Sequence, residues 1–553
     1  MKKLLAIILA LSLAFCVSIP SFAYETPGED TDMDVFDPMD NLPDGDIDMG
    51  ELEMETYDVK DLKGLYKTQG RTHYKDGMPS LAYSASSFEF NAYCEGDIYV
   101  TFESTKINSS MGNGTYLTVY IDGVKQSRSV GHLNYYGEET AVIAINLNKG
   151  NHNVKIVRST ELEPSLVYVK SISLAGEIKA PEQDKDLFIE FVGGAATSAQ
   201  GALYDKEIAL YDPSSAIYQD GTVSFAYKAA ESLNADLSVV ARQGIGAITG
   251  WQKVSMIDVY NYTMHAANNS LLYDFKKQPD IIVVELGAAD YDVLKWNNTD
   301  KTEEEIVAGL YDMLELLRAK NPNAYIVWTY GFNDTVLKDV IPLVIENSGG
   351  AKKGFYSVKL THSNGGGKGL PSEAGHTKAA TELVDFIKAN KLNLPKAPTV
   401  KFTPENDDIY SKPPVIELTG IDKLTNKMGY KLYKKGETVP SNFTDYSGSI
   451  TVNSNGEYVL VVAALDKNNN VGKEAVYEFT YNSAYKPYTV GDLNNDSFIN
   501  NTDMILLRRL LAGWTVTVIE PAGDVNGDGI VNTRDIMHFA RYLAEFEGIE
   551  LAQ

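Results

Sequence analysis

The sequence predicts a multidomain protein: a β-sandwich, a three-layer α/β domain, a second β-sandwich and a small α-helical unit with two calcium loops. Three observations support this order. The chain has 553 residues, several times the roughly 100–200 residues of a typical domain. Its hydrophobic pattern changes from short alternating runs to strands alternating with amphipathic helices, and then back. Finally, an Asp/Asn-rich loop that begins at Asp492 is repeated from Asp524.

The composition excludes some classes of protein and partner. Hydrophobic residues make up 44% of the chain, which excludes a wholly disordered protein. The formal net charge is −26. Because this charge repels phosphate backbones and anionic lipids, we expect neither a nucleic acid nor a membrane surface as a partner.

The N-terminal segment resembles a secretory signal peptide. Residues 1–23 contain Lys2 and Lys3, an apolar run and a small-residue cleavage pattern that ends at Ala23. We therefore expect a secreted, extracellular protein whose mature chain begins at Tyr24.

The cysteines predict no intrachain disulfide. Lipidation at Cys16 is disfavoured because Phe15 stands where a lipoprotein signal needs a small residue. Removing the signal leaves Cys94 alone, so stability must come from cores and bound ions.

An acidic segment follows the signal. Between Glu25 and Asp58 there are fourteen Asp or Glu and no Lys or Arg, which predicts a disordered linker over residues 24–60. The alternating carboxylates of residues 44–48 leave open a second interpretation, a calcium-collecting segment.

The first folded domain is expected over residues 61–180. Runs such as 97–102, 116–121 and 152–157 are rich in Tyr, Val, Ile and Thr and are separated by Gly, Asn or Asp. This pattern is typical of a β-sandwich, here of jelly-roll-like type.

The next domain is expected over residues 184–393. Strands near residues 187–192, 237–241, 281–286 and 324–330 alternate with helices near residues 222–232, 302–320, 337–347 and 374–390. The alternation predicts an open parallel α/β sheet, whose site lies at the carboxyl ends of the strands.

A Pro-rich break at residues 394–398 opens the third domain. Paired strand patterns around residues 456–466 and 475–481 predict an immunoglobulin-like or fibronectin-like sandwich over residues 396–485. A spacer role is expected for it, although binding by it remains open.

The repeated loops carry the strongest motif. Calcium takes six to eight oxygens, which such loops supply from positions 1, 3, 5, 9 and 12 and from the backbone carbonyl at position 7. The predicted ligands of two Ca²⁺ ions are Asp492, Asn494, Asp496, Phe498, Asn500 and Asp503 in the first loop, and Asp524, Asn526, Asp528, Ile530, Asn532 and Asp535 in the second.

Each loop is followed by one apolar helix and lacks the preceding helix of a full EF-hand. Residues 488–549 therefore resemble a type I dockerin of cellulosomes; a generic duplicated metal loop is the alternative. The resemblance implies calcium-dependent folding and binding to a scaffoldin cohesin module. Ser497 departs from the glycine usual at loop position 6. The implied cohesin contacts are Asn501, Thr502, Arg508, Arg509, Thr533, Arg534 and Arg541.

Residues 65–392 are similar to family two carbohydrate esterases, which join a sandwich to a serine hydrolase domain of the SGNH class. The motifs are Asp122-Gly123, Gly150-Asn-His152, Phe191-Val-Gly193, Gln243-Gly244, Glu285-Leu-Gly287, Asn321-Pro-Asn323 and Leu370-Pro-Ser-Glu-Ala-Gly375-His376. The resemblance implies an esterase fold, and family members use this fold to deacetylate plant polysaccharides.

The residues that perform the chemistry in that family are replaced. The nucleophile position holds Ala195, the oxyanion asparagine position holds Ala289 and the general-base position holds Leu370. Only Gly244 retains its backbone donor. Since nucleophile, base and oxyanion donor act as a unit, we expect an inactive esterase-like module.

Two questions remain open at this stage. Ser198 could form a replacement dyad with His362 or His376, although a capping or exposed serine is the commoner role. The old cleft could still bind polysaccharide through Trp251, Tyr291, Trp296 and Tyr330, whereas Trp328 is expected in the core. The favoured function is a secreted, noncatalytic cellulosome subunit; the alternatives are an active acetylxylan-type esterase with a non-standard nucleophile and a structural spacer.

Overall fold

The computed structural model describes residues 53–552, except 107–114, 127–132, 134–135, 162–164, 208, 210, 212–215, 253, 265–270, 333–336, 406–407 and 487. The signal peptide, Cys16, the alternating carboxylates of residues 44–48 and the linker up to Leu52 lie outside the described residues. Within the described part of the chain, no helix has the length and apolar character needed to cross a membrane.

The first domain is built from antiparallel strands. Three long strands, β5, β8 and β9, form its centre; β5 pairs with both of the others, and both ladders contain register shifts. Phe88, Phe90, Ile98 and Phe102 of β5 are fully buried in the core of this domain. The strands are β1 (Glu55–Asp58), β2 (Lys67–Gln69), β3 (Tyr74–Lys75), β4 (Met78–Leu81), β5 (Ser87–Lys106), β6 (Leu117–Ile121), β7 (Val124–Lys125), β8 (Gly137–Arg158) and β9 (Ser165–Lys179).

The structure corrects the predicted end of the acidic linker. Residues 55–58 form β1, which pairs antiparallel with β9, and Val59 behind it is fully buried. The Tyr57 hydroxyl also donates to the Gly176 carbonyl at 2.7 Å. The hydrogen bonds of a strand pair are made by the backbone and not by the side chains. The last residues of the acidic segment can therefore form a strand of the folded domain.

The α/β domain contains a five-stranded parallel sheet in the order β11-β10-β14-β15-β16. Ile282 and Val284 pack into the core on one face of the sheet, whereas Ile281 and Val283 pack into the core on the other. Helices therefore cover both faces, as the sequence predicts. The strands are β10 (Leu187–Gly193), β11 (Ala235–Ala241), β14 (Ile281–Glu285), β15 (Tyr325–Tyr330) and β16 (Phe355–Lys359), with the short pair β12 (Tyr262–Met264) and β13 (Leu271–Leu272) outside the sheet.

The helices of this domain agree with the four predicted and add two short ones, α2 and α3, that the periodicity did not reveal. Strand β16 was also not predicted. The helices are α1 (Phe225–Ser232), α2 (Met256–Val259), α3 (Ala288–Lys295), α4 (Glu303–Lys320), α5 (Ile341–Asn347) and α6 (Glu373–Ala389).

A buried ion pair joins the first domain to the α/β domain. Arg71, between β2 and β3, donates to both carboxylate oxygens of Glu190 in β10, at 3.2 and 3.1 Å. The Tyr260 hydroxyl donates to the same carboxylate at 2.8 Å, and the Arg71 guanidinium lies over the Tyr260 and Tyr273 rings. Because Arg71, Glu190 and Tyr260 are all buried, this contact fixes the two domains against each other.

Two further sheets follow the α/β domain and share one hydrophobic core. One has the order β17-β19-β22 and the other β18-β24-β23-β20-β21. The immunoglobulin-like or fibronectin-like type stays a prediction. The strands are β17 (Thr399–Thr403), β18 (Ile409–Tyr410), β19 (Val415–Thr419), β20 (Lys427–Lys434), β21 (Thr444–Asp445), β22 (Ile450–Thr451), β23 (Gly456–Leu465) and β24 (Val471–Tyr481).

The C-terminal unit contains two helices of equal length, α7 (Asn501–Leu511) and α8 (Thr533–Leu543). Leu507 and Phe539, one from each helix, are fully buried in a common small core. Each helix is capped by an Asn side chain with a reciprocal Asp three residues later. The two copies of the repeat therefore fold in the same way.

The Arg71–Glu190 pair gives a stability prediction. Replacing Arg71 with Met leaves the Glu190 carboxylate buried without its cation, which we expect to destabilise the joined domains by about 3–5 kcal/mol. Scanning calorimetry would measure the lowered transition temperature. The matched variant Lys435→Met removes an exposed pair with Glu478 and is expected to leave the transition unchanged. An unchanged transition in Arg71→Met would contradict the role assigned to this pair.

Candidate binding cleft and calcium loops

A cleft of about 990 Å³ lies at the carboxyl ends of β10, β11 and β14. Its floor comes from the segments that follow these three strands, around Gly194, Gly244 and Gly287. Helices α3 and α4 and the segment 368–370 complete the walls. This is the edge at which open α/β sheets place their sites.

The four positions singled out by comparison with the esterase motifs meet in this cleft. Ala195, Gly244, Ala289 and Leu370 all line it. Among the described residues that line the cleft, none is Ser, Thr, Cys or His. The predicted esterase positions therefore lie together, and the described lining around them has no hydroxyl or thiol nucleophile of the Ser or Cys type and no imidazole base.

A buried carboxylate fixes the loop that carries Gly244. Asp290 is fully buried and accepts hydrogen bonds from the backbone N–H groups of Ala247, Ile248 and Thr249 at 2.7, 3.0 and 3.0 Å. Burial raises the pKa of Asp290, and the three amide donors oppose that rise. A Cβ on Gly246 would lie 2.2 Å from the Asp290 carboxylate, so only glycine fits there.

A second carboxylate lies on the cleft floor. Glu285 ends β14 and accepts from the Gly194 N–H at 3.2 Å and from the Thr197 hydroxyl at 3.0 Å. The Gly194 amide, which lies next to Ala195, is thereby directed toward a protein group. These contacts hold the floor of the cleft beside Ala195, the predicted nucleophile position.

The predicted sugar-binding aromatics divide into two groups. Trp251 and Tyr291 line the cleft, and Trp251 is half exposed while its Nε1 donates to Asp292 at 2.7 Å. Burial, followed by the nearby Glu303, raises the pKa of Tyr291 to about 12, so its phenol stays protonated. Trp296 and Tyr330 are not among the residues that line the cleft: Trp296 is exposed at the end of α3, and Tyr330 packs against the core.

The contacts do not support a replacement dyad. Ser198 is fully buried, and its hydroxyl donates to the Ala195 carbonyl at 3.2 Å. His376 is buried in α6, where its Nδ1 accepts from the Phe225 N–H at 3.2 Å. Burial, followed by the charge of Lys228, lowers the pKa of His376 to about 3. His362 is exposed, and neither histidine lines the cleft.

The first repeated loop folds around its own carboxylates. The Asp492 carboxylate accepts from the backbone N–H groups of Asp496 and Ser497 at 3.1 and 2.9 Å. Asp503 is fully buried and accepts from the Asn500 N–H at 3.0 Å. These bonds hold the turns of the loop and tie its end to the start of α7.

The second loop repeats the same bonds. Asp524 accepts from the N–H groups of Asp528 and Gly529 at 3.1 and 2.9 Å, and Asp535 accepts from the Asn532 N–H at 2.8 Å. The predicted ligands of each loop are three carboxylates, two amide oxygens and one backbone carbonyl, which form an oxygen-only donor set that fits calcium.

The predicted calcium sites contain more than carboxylates. Among the described residues, no three His, Cys, Asp or Glu side chains are grouped as a metal centre by themselves. The predicted sets also include the two Asn side chains of each loop and the carbonyls of Phe498 and Ile530.

Ser497 takes the conformation that glycine takes in the second loop. Its φ is 71°, and that of Gly529 is 83°. A serine in the left-handed region costs roughly 1 kcal/mol relative to glycine. The departure from the family pattern is thus accommodated by strain and not by a different fold.

The predicted cohesin contacts are all exposed. They lie at the starts and along the outer faces of α7 and α8: Asn501, Thr502, Arg508, Arg509, Thr533, Arg534 and Arg541. Apolar side chains are exposed on the same helices, Ile505 on α7 and Met537 on α8. Each helix therefore offers a mixed polar and apolar surface, and contact with a cohesin remains a prediction.

Three functional carboxylates were missed by the sequence reasoning. Asp290 directly follows Ala289, the position predicted for the oxyanion asparagine. Asp292 and Glu285 had no assigned role. Its place beside a family motif was the signal that could have identified Asp290. The partners of Glu285 and Asp292 lie far away in the chain, so the sequence carries no comparable signal for them.

Two families match separate parts of the chain. The Dockerin type I domain family matches residues 490–545, and the Carbohydrate esterase 2 N-terminal family matches residues 68–181. Both predicted resemblances are thereby confirmed. Type I dockerin domains bind calcium. No curated protein matches the chain.

Solved structures of family two carbohydrate esterases share the fold of the first two domains. An acetyl xylan esterase from Butyrivibrio proteoclasticus has a TM-score of 0.53 at 23% identity, covering 61% of this chain and 98% of its own. A family two esterase from Clostridium thermocellum, solved with cellohexaose, has a TM-score of 0.52 at 23% identity, covering 60% and 100%. One from Cellvibrio japonicus has a TM-score of 0.52 at 18% identity, covering 62% and 98%.

The strain at Ser497 gives a prediction. We expect Ser497→Gly to tighten calcium binding by the first loop about fivefold, because the left-handed residue no longer costs roughly 1 kcal/mol. Calorimetric titration with calcium would measure this. The reverse change in the second loop, Gly529→Ser, is expected to weaken that loop by a similar factor. Equal affinities in all three proteins would show that the conformation at position 6 does not limit binding.

Proposed function

We propose that this protein is an exported, noncatalytic cellulosome subunit. Its dockerin-like unit binds two calcium ions and a scaffoldin cohesin module, and its esterase-derived cleft binds plant cell-wall polysaccharide without hydrolysing it. The observation that carries this proposal is the cleft itself, in which Ala195, Ala289 and Leu370 meet around the retained Gly244. The shape of a carbohydrate site is retained where the groups for acyl transfer are replaced.

The calcium part of the proposal follows from the two loops. Bound calcium would supply positive charge that offsets the three carboxylates of each loop. The chain's own contribution is to turn each loop with hydrogen bonds from its backbone amides to Asp492 and Asp524. Asp503 and Asp535 also accept from the backbone at the helix starts, so loop shape and helix position are linked.

Sugar binding follows from the cleft lining. Trp251 offers a half-exposed ring face, held in place by its bond to Asp292. Carboxylates at the rim, Asp292, Glu303 and Asp339, can accept hydrogen bonds from sugar hydroxyls. The Clostridium thermocellum esterase with the same fold was solved with cellohexaose, which supports a β-linked glucan as the first ligand to test.

An active esterase is the second candidate function. Its support is the shared fold and the retained Gly244, and it requires a nucleophile outside the described cleft lining. Turnover of acetylated xylan or 4-nitrophenyl acetate by the purified protein would favour it, and loss of that turnover in Ser198→Ala would overturn the noncatalytic proposal. A structural spacer is the third candidate, favoured if no polysaccharide retards the protein in affinity electrophoresis.

The dockerin-like unit gives a binding prediction. Replacing Asp524 and Asp535 with Ala removes two ligands and the helix-start contact of the second loop, so we expect calcium-dependent capture by an immobilised type I cohesin to be abolished. Capture by the unaltered protein is expected to be lost in chelator and restored by calcium. Substituting Asp466 with Ala, in a hairpin of the preceding sheets, is the control. Unchanged capture by the double variant would reject this assignment.

The cleft gives a second prediction. We expect Trp251→Ala to weaken binding of cellohexaose about tenfold, equivalent to about 1.4 kcal/mol, because the exposed ring face is lost. Trp251→Phe keeps an aromatic face and is expected to retain most of the affinity. Trp514→Ala removes another exposed tryptophan, in the C-terminal unit, and serves as the control. Weakening by Trp296→Ala alone would place the sugar outside the cleft.

A further inference from the structure

A second large cavity lies between the α/β domain and the two sheets that follow it. Its volume is about 1000 Å³, at the upper end of the roughly 300–1,000 Å³ typical of small-molecule sites. Helix α4 and residues 347–355 form one side, and Lys396 and Lys473 reach it from the other. It shares no lining residue with the cleft described above.

The charge of this cavity is opposite to that of the protein. Five cationic residues line it, against two acidic ones, in a chain whose net charge is −26. One of the acids, Glu474, pairs with Lys391. The cations are Arg318, Lys352, Lys353, Lys396 and Lys473, and the acids are Glu315 and Glu474.

Three of these cations are partly buried, and none of them has a carboxylate partner in the part of the chain that the structure describes. Arg318 donates to backbone carbonyls there, including those of Ala324 and Lys353 at 2.8 and 3.0 Å. Lys396 donates to the Asn323 carbonyl, and Lys473 donates to the Tyr356 hydroxyl at 2.5 Å. Among the described residues, no salt bridge within 4 Å joins any of the three to Asp or Glu.

The surroundings disfavour the charged forms. Burial lowers the pKa of Arg318. Burial also lowers the pKa of Lys396. The positive charges of Arg318 and Lys473 lower this pKa further, whereas the negative charges of Asp422 and Asp280 oppose the change. A bound anion would relieve this mutual repulsion.

The rest of the lining suits a hydroxylated ligand. Asn323, Asn347 and Ser348 offer neutral polar groups, and Tyr311 adds a half-buried ring. A ligand that combines carboxylates with many hydroxyls fits this mixture better than a small inorganic anion, which would leave most of the cavity unused.

We infer that the cavity between α4 and Lys396/Lys473 is a binding site for uronic-acid oligosaccharides. The sugar carboxylates lie among Arg318, Lys396 and Lys473, and the hydroxyls contact the neutral polar lining. This site is separate from the cleft and does not rest on its proposed function. The protein would then hold neutral and acidic saccharides at two places.

Calorimetric titration of the purified protein with trigalacturonic acid tests this site. We expect binding that weakens at least tenfold in the double variant Lys396→Gln/Lys473→Gln and weakens further as salt rises. The single variant Lys427→Gln removes a cation from the same group of sheets, outside the cavity, and is expected to bind normally. Circular dichroism and the calorimetric melting transition of the double variant would verify that it is folded.

Several results of the same titrations would overturn this inference. No binding of trigalacturonic acid, or equal binding by the folded double variant, overturns the inference. Equal affinity for neutral xylotriose would show that charge is not recognised, and equal affinity for sulfate would show a nonspecific anion site; either also overturns it. Trp251→Ala is expected to leave trigalacturonic acid binding unchanged, which separates this site from the cleft.

Discussion

The cleft depends on one buried carboxylate, Asp290, and the three consecutive backbone amides that donate to it. An unpaired buried carboxylate is costly, so the amides and the carboxylate hold each other in place. This contact fixes the loop that bears Gly244 and directly precedes Trp251. Since it involves neither Ala195 nor Leu370, the positions predicted for a nucleophile and a base, the shape of the cleft does not depend on the residues at those two positions.

The sequence predicted the parts of this structure that depend on local periodicity or on short-range spacing. The main strands of the parallel sheet and the helices α1, α4, α5 and α6 follow from their apolar patterns. The two repeated loops and the helices that follow them also agree with the sequence pattern, because the residues of each loop lie within one short segment. The gathering of Ala195, Ala289 and Leu370 was also predictable, because known esterase motifs mark these positions.

What the sequence did not predict are contacts between distant segments and elements too short to show a period. Helices α2 and α3 span four and eight residues, which is little for a helical pattern to emerge. The acidic residues of β1 pair with a distant strand, so composition alone assigned them to the linker. The cationic cavity is formed where α4 meets Lys396, which precedes β17, and Lys473, which lies in β24. These residues are far apart in the chain, so no single stretch of sequence shows the cluster.

The buried pair of Arg71 and Glu190 has a consequence for how this protein can be rearranged by recombination. Exchanging either of the two joined domains for an unrelated one would leave Arg71 or Glu190 buried without its oppositely charged partner. Hybrid proteins cut between β9 and β10 would therefore be selected against. The first domain and the α/β domain are expected to move between genes together, whereas the dockerin-like unit, which has its own small core, can be exchanged separately.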